Sequence, residues 1–343
     1  MRLLVFESDG VFLREGDSKF VVDGRRLSGA TAAFVTHAHS DHARLPKNPE
    51  CDVYAAPETL KMLGWEEKHR VKAFGKRLSL DGFSINFHNA GHIHGSKQVH
   101  FANDLDLVVT GDVKLSDDLV VKGATPVASD VLVIESTFGS PEFVFPKRED
   151  VYEDMKNWVK ANWEAGASVI LAGYATGKAQ ELTAFCNEYL GTPPIVHPKV
   201  FRVNKACSDS GARLGEYLSA AGPEAREAAR GESVFILPPS MVNMDSISTL
   251  SFEFNRRFVA GFATGWASTS FSPRTYSKNF PLSSHADFNE LLEIVRQSGA
   301  KKVFTYHGFS RELASHLRKR LGVNAVPLTG KKQSSLADFC AMA

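Results

Sequence analysis

Between residues 37 and 42 the chain places three histidines and an aspartate, His37, His39, Asp41 and His42, directly after the run Thr31-Ala32-Ala33-Phe34-Val35-Thr36. Neutral imidazoles suit zinc and neighbouring first-row metals, and a carboxylate adds the charge that lets one site serve a second ion. The preceding run reads as a short buried strand. The histidines then sit in the loop at its end, where a rigid sheet holds chemistry-bearing side chains. In an extended loop alternate residues share a side, so His37 and His39 can share one metal while Asp41 and His42 reach another. The competing reading is a solvated, ligand-free polar loop. Four donors in six residues after a strand argue against it, and the expectation is two metals.

Further donors are scattered along the chain. In Ala90-Gly91-His92-Ile93-His94-Gly95-Ser96 the flanking glycines let the backbone turn tightly, which makes His92 a third ligand for the first metal. His94 has the same chemistry but is read as a supporting or surface histidine. Val108-Val109-Thr110-Gly111-Asp112 is an apolar strand ending in an ordinary turn, and only beside the histidine loop does Asp112 become a candidate bridge between two cations. Glu135 ends the wholly apolar run Val131 to Ile134, and a buried glutamate needs a partner. His285, in Ser283-Ser284-His285-Ala286-Asp287 just before a helix, supplies one. A carboxylate fixes the tautomer of such an imidazole and raises its pKa, as a general acid near neutral pH requires, with a structural salt link as the alternative. His307 ends the strand from Val303 and is the last ligand expected for the second metal.

These residues need a sheet to hold them. Up to about residue 135 short strands separated by turn residues dominate, with one helix near Pro57 to Leu63. From Arg148, helices and strands alternate, as in an α/β module with a partly parallel sheet. The stretch from Ala286 to Leu328 reads helix, strand, helix, strand and would complete the first domain. The domains are therefore set at 1–146, 147–280 and 281–330, with a tail over 331–343. At 343 residues, 43% hydrophobic and 23% charged, the chain is globular rather than disordered. Its net charge of +1 carries no global basic field, so nucleic acid would have to meet a local patch. Cys51, Cys186, Cys207 and Cys340 form no metal or disulfide spacing. No apolar run approaches the roughly eighteen residues of a membrane span. A soluble cytoplasmic protein is expected.

Gly173-Tyr-Ala-Thr-Gly-Lys178 has three residues between its glycines and Ala179 after the lysine, which excludes an ATP-binding phosphate loop. A glycine-rich turn at a helix start still attracts phosphate, so Thr176, Gly177 and Lys178 are candidates to grip a nucleic-acid backbone, with strand-to-helix packing as the alternative. Among the aromatic residues, Trp266 is the candidate for stacking on bases, while Trp158 and Trp163 fall at core spacing. Ser284, beside His285, joins the substrate-binding candidates.

His37-x-His39-x-Asp41-His42, His92 and Asp112 resemble the successive metal motifs of the metallo-β-lactamase superfamily, and Glu135, His285 and His307 resemble, in order, the three further motifs of its β-CASP nuclease branch. Within that branch, Glu135-Ser-Thr-Phe-Gly, Gly173 to Glu181, Phe262 to Trp266 and Ser284 to Asp287 are most similar to the compact ligase-associated DNA exonuclease and mRNA 3′-end processing exonuclease-like group. The resemblance implies a four-layer αββα fold, α/β in class, with an inserted α/β β-CASP cap. It implies one cation on His37, His39 and His92, a second on Asp41, His42 and His307, and Asp112 between them, the ions being Zn²⁺ or Mn²⁺. It assigns Asp41, Glu135 and His285 to catalysis, and implies hydrolysis of phosphodiester bonds, with single-stranded DNA as substrate and DNA ligase or helicase repair proteins as associates. RNA processing of the ribonuclease J or pre-mRNA 3′-end cleavage type is the alternative. A silent nucleic-acid-binding scaffold is the third reading, although every ligand type is retained. The sequence departs from its relatives at His94, usually aliphatic, and at Phe309, often Glu in RNA-processing members.

Overall fold

Short, largely apolar strands from the first 135 residues, joined by strands over 302–306 and 324–327, build two sheets that share one core. The computed structural model describes residues 4–7, 9–75, 77–268 and 275–328. It divides into a unit made of Met1–Ser116, Lys122–Val144 and His285–Ala343 and a second made of Asp117–Val121 and Phe145–Ser284. The tail expected at 331–343, with Cys340, lies outside the described residues.

In the first unit β1 (Leu4–Glu7), β2 (Val11–Glu15), β3 (Ser18–Val22), β4 (Ala32–Val35) and β5 (Asp52–Ala55) precede α1 (Pro57–Leu63) and β6 (Val71–Ala73). Next come β7 (Arg77–Leu80), β8 (Phe83–Asn89), β9 (Lys97–Ala102), β10 (Leu107–Val109) and β11 (Val131–Glu135). The second unit holds α2 (Arg148–Glu164), β12 (Ala167–Ala172), α3 (Lys178–Phe185), β13 (Ile195–Val196), α4 (Pro198–Ser208), β14 (Leu218–Ser219), α5 (Pro223–Ala228), β15 (Val234–Leu237), α6 (Met244–Phe254), β16 (Arg257–Thr264) and β17 (Lys278–Pro281). The chain then completes the first unit with α7 (Phe288–Ser298), β18 (Lys302–Tyr306), α8 (Ser310–Leu321) and β19 (Asn324–Pro327).

The first unit has the four layers expected. One sheet runs β1-β2-β3-β4-β5-β6 and the other β19-β18-β11-β10-β9-β8-β7. Their inner faces meet in a core that includes Phe20 and Phe34 from one sheet and Phe83, Phe101 and Val133 from the other. The outer face of the first sheet packs on Leu60 of α1, and that of the second on Leu291 and Ile294 of α7 and Leu313 and Leu317 of α8. Helix α7 shows why such a stripe forms: Phe288, Leu291, Ile294, Val295 and Ser298 recur at helical spacing and are buried, the Asp287 carboxylate accepts from the Glu290 N–H at 2.8 Å, and Gly299 closes the helix in the left-handed region.

The second unit is a sheet of order β14-β13-β15-β12-β16-β17, parallel at every pairing. Alternate residues of each strand face opposite sides, so Val169 and Leu171 of β12 pack with α2 and α3 while Ile170 and Ala172 join Ala225 of α5 in a separate cluster. The sequence reading assigns no element to 198–208 or 244–254, where the structure has α4 and α6. Val200 and Val203 lower the helix propensity of α4, and the apolar stripe of α6, Ile247, Leu250 and Phe254, is short and only partly buried against the sheet. The segment Asp117–Val121 joins this unit because Leu119 packs on its core. Cys51, Cys186 and Cys207 are buried, and no helix among the described residues is long and apolar enough to cross a membrane.

Candidate metal centre

Parallel strands deliver their following loops to one edge of a sheet. In the first unit β3 runs parallel to β4, and β10, β11 and β18 run parallel with Val109 beside Val133 and Glu135 beside Tyr306. The residues that follow these strands are Asp23, the His37 to His42 loop, Asp112 and His307, and β11 itself ends on Glu135. Four buried or half-buried donors meet there: His37, His39, His92 and Asp112 place ligand atoms within 4.8 Å of one another. His39 Nδ1 lies 3.0 Å from His37 Nε2 and 3.1 Å from His92 Nε2. Asp112 Oδ2 lies 3.4 Å and 3.5 Å from those same two Nε2 atoms. The edge of a tetrahedron around zinc, from Zn–N bonds of 2.0 to 2.1 Å, is about 3.3 Å. The donor set therefore fits such an ion.

A second group, His42, Asp112 and His307, shares the same carboxylate, with His42 Nε2 3.4 Å from Asp112 Oδ2. Asp41 stands at its rim, with Oδ2 3.9 Å from His42 Nε2 and a side chain 63% exposed. One oxygen of Asp112 thus belongs to both groups, as a bridging ligand would. His94 belongs to neither.

Charge fits the same description. Burial keeps His37 and His92 neutral, the ligating form of imidazole, by pushing both pKa values down. Burial alone would raise Asp112, but His42 and His285 beside it hold the carboxylate well below its usual range. His42 is also disfavoured as a cation by burial, yet Asp112 and Asp23 lift it to about 10. A cation bound at its Nε2 must displace that proton.

Asp23 has no counterpart in the sequence reading, and it organises both groups from behind. Its Oδ1 accepts from the Thr36 N–H at 2.7 Å, while Oδ2 accepts from the Thr36 hydroxyl at 2.6 Å and lies 2.8 Å from His42 Nδ1. Because the Thr36 proton is given to Asp23, Thr36 Oγ1 accepts from His37 Nδ1, 2.9 Å away. Both histidines then carry their hydrogen on Nδ1 and turn Nε2 towards Asp112. Gly111 leaves room for this: a Cβ there would meet the Thr36 side chain at 2.8 Å, and its φ of +58° suits glycine. The Asp23, His37, His42 triplet is accordingly tied together by hydrogen bonds through Asp23 and Thr36, behind the Nε2 atoms that face Asp112. Asp23→Asn replaces an acceptor of three bonds by a group that must donate on one side. The expected result is a ten- to hundredfold loss of metal affinity, read by competition with a chromophoric chelator. Unchanged affinity would contradict this role.

Glu135 is fully buried, and its oxygens are occupied: Oε1 accepts from the Val113 N–H at 2.9 Å, Oε2 from the Thr137 N–H at 3.1 Å, and His285 Nδ1 lies 2.9 Å from Oε1. Burial lowers the His285 pKa, but Glu135 and then Asp112 raise it to about 9. His285 packs on the His92 ring, centroids 4.5 Å apart, with Nδ1 4.0 Å from Asp112 Oδ2. The Glu135–His285 pair thus lies against the His92 and Asp112 side chains. Ser136, also missed by the sequence reading, holds His307: its hydroxyl meets the Tyr306 and His307 carbonyls at 2.7 and 2.6 Å. His307 and Asp23 both take positive φ, 60° and 55°, a conformation that costs a non-glycine residue about 1 kcal/mol or more and that clusters at functional sites.

The remaining candidates belong to the second unit. The grip expected from Thr176, Gly177 and Lys178 is not built as expected. Lys178 is buried and paired with the Glu181 carboxylate, which also accepts from Arg148 and, at 2.6 Å, from the Tyr152 hydroxyl. The Gly177 N–H is taken by Gln180 Oε1 at 2.6 Å. A buried Glu181 needs cations, and Lys178, one turn away, is spent on it. Thr176, Ser284 and Trp266 are half-buried, and the Trp266 N–H donates to Thr264 Oγ1 at 3.2 Å. Trp158 and Trp163 are half-buried against the core of this unit, the first edge-on to Phe280 and the second donating to the Ser233 carbonyl.

A profile of the Zn-dependent metallo-hydrolase RNA specificity domain matches residues 277–327, which include His285 and His307. The chain is 30% identical over 300 residues to a protein named probable DNA ligase from Opitutus terrae, covering 84% of this chain and 28% of that one. It is 30% identical over 144 residues to an RNase J-like protein of Methanocaldococcus jannaschii and 29% over 211 residues to RNase aCSPSF2 of Saccharolobus solfataricus. Those matches cover 41% and 52% of this chain. This is a β-CASP member of the metallo-β-lactamase superfamily. The β-CASP chain spans less than half the length of these curated relatives: 28%, 32% and 42%. A crystal structure of a protein of unknown function from Enterococcus faecalis V583 covers 98% of the β-CASP chain and 100% of its own, at a TM-score of 0.66 and 13% identity, a likeness of fold.

Proposed function

We propose that this chain is a metal-dependent nuclease that hydrolyses phosphodiester bonds, acting as an exonuclease on single-stranded DNA in repair alongside a DNA ligase. The observation that carries the chemistry is the convergence of His37, His42 and His92 on one oxygen of Asp112, with the Glu135–His285 pair beside it. His37, His39, His92 and Asp112 would hold one divalent cation, and Asp41, His42, His307 and Asp112 a second, Zn²⁺ or Mn²⁺. Two such ions, when bound, lower the pKa of a water and neutralise charge on the phosphoryl oxygens. Asp41, exposed at the rim and kept ionised by His42 despite its partial burial, orients the attacking water and accepts its proton. Glu135 fixes the His285 tautomer through Nδ1, so the other ring nitrogen delivers a proton to the departing oxygen.

The DNA reading is favoured by similarity to the ligase-named relative along most of this chain. The RNA reading is favoured by the match to an RNA specificity domain and by the ribonuclease-named relatives. End-labelled DNA and RNA single strands of identical sequence, incubated with metal-loaded protein, separate them. Loss of DNA with RNA spared supports repair; preferred loss of RNA transfers the same active site to RNA processing. Neither strand being cleaved would remove the nuclease reading.

A further inference from the structure

Tyr174 is a large aromatic side chain left 56% exposed, immediately after the buried strand β12. It is firmly backed. Its ring packs edge-on against Phe262 of the neighbouring β16, centroids 6.4 Å apart, and Phe262 is stacked on Tyr276 at 4.9 Å with an interplanar angle of 24°. Phe262 and Tyr276 are themselves buried, and the Tyr276 hydroxyl reaches the Pro239 carbonyl at 3.4 Å. A ring held this way loses little freedom when something flat settles on its open side.

Its place in the sheet adds a second argument. From β12 the chain leaves towards β13, on one side, and from β16 it leaves towards β17, on the other. Adjacent parallel strands whose connections diverge leave a crevice beyond their C-terminal ends, where α/β sheets bind ligands. Tyr174 leaves β12 at this point and Trp266 leaves β16. The segments that leave β12, β13, β15 and β16, residues 173–180, 197–205, 238–244 and 265–267, contain no aspartate or glutamate. Lys199 and Arg202 in the second of them are exposed. The edge combines an exposed aromatic surface with local positive charge, which suits a flat, apolar ligand attached to anions.

Resting on the nuclease reading, we infer that Tyr174 is a stacking platform for the unpaired bases of a single-stranded nucleic acid. Every base has a π face, so such a platform is tolerant of sequence; in a duplex those faces are covered, so it selects unpaired strands. Neither the chemistry at Asp112 nor the choice between DNA and RNA depends on it.

The test is fluorescence anisotropy with phosphorothioate oligothymidylate and with an abasic strand of equal length, using wild type, Tyr174→Ala and Tyr174→Phe. Tyr174→Ala should weaken oligothymidylate binding about tenfold, the scale of losing one stacked base. Tyr174→Phe should keep it, and all three proteins should bind the abasic strand alike, which also certifies their folding. Oligothymidylate binding by Tyr174→Ala equal to wild type, or an equal loss on the abasic strand, would overturn the inference. Wild-type cleavage of an ordinary oligothymidylate is measured alongside. Cleavage with an indifferent Tyr174→Ala removes only the platform, whereas a wild type that neither binds nor cleaves oligothymidylate or an oligouridylate of equal length removes the platform and the nuclease reading together.

Discussion

Asp112→Asn should cut bound metal from two equivalents to one or fewer and lower turnover by about a thousandfold or more. The reason is local. Oδ2 of this residue is within 3.5 Å of Nε2 on His37, His42 and His92, and 4.0 Å from His285 Nδ1, so one atom joins every part of the site. Asparagine keeps the volume and the fold but removes the charge that offsets two cations. A second readout comes from the metal-free protein. There His42, lifted to about 10 chiefly by Asp112 against the cost of burial, stabilises the fold while protonated. That contribution is complete below the unfolded pKa near 6.5 and disappears as the pH climbs through about 10. Asp112→Asn removes most of it, so the metal-free variant should melt below the metal-free wild type at neutral pH, and the gap should narrow towards pH 10. Metal content and turnover at wild-type levels would show that Asp112 is not the bridge.

His285→Ala should separate chemistry from metal binding. Its Nδ1 is committed to Glu135, and Glu135 is in turn fixed by the Val113 and Thr137 N–H groups, so the ring is positioned by a buried frame and not by a cation. Metal content should stay at the wild-type level while turnover falls about a hundred- to ten-thousandfold, the usual value of a positioned general acid. A substrate whose leaving group needs no proton should recover most of that loss, because only protonation of the departing oxygen has been removed. Loss of a metal ion in this variant would instead make His285 a ligand.

Much of this site was legible because its donors come in dense clusters at strand ends. His37 to His42 after Val35, Asp112 after Val109 and Glu135 at the end of β11 each combine an apolar run with a group that water would otherwise claim, and the strand order does the rest. Asp23 could not be found that way. A single aspartate before glycine after a strand is the signature of a plain turn, and only the fold shows Thr36 and His42 converging on it. Ser136 was hidden for a similar reason, since its partners are the carbonyls of residues 306 and 307. Lys178 erred the other way. A glycine-lysine pair at a helix start speaks of phosphate, but Glu181 one turn later is buried and takes the ammonium. Burial of the helix was the missing information, and it depends on α2 and α4 packing around α3. Tyr174 escaped notice because exposure of an aromatic residue cannot be read from its neighbours in sequence.

In the proposed mechanism, phosphodiester cleavage requires two cations on these residues. The most direct measurement strips the protein with chelator, returns Zn²⁺ or Mn²⁺ in known equivalents, and follows both bound metal by elemental analysis and cleavage of a labelled single strand. The stripped protein should not cleave, binding should saturate at two equivalents per chain, and activity should rise with the second. Cleavage by the stripped protein, or saturation at a single equivalent with full activity, would contradict that mechanism.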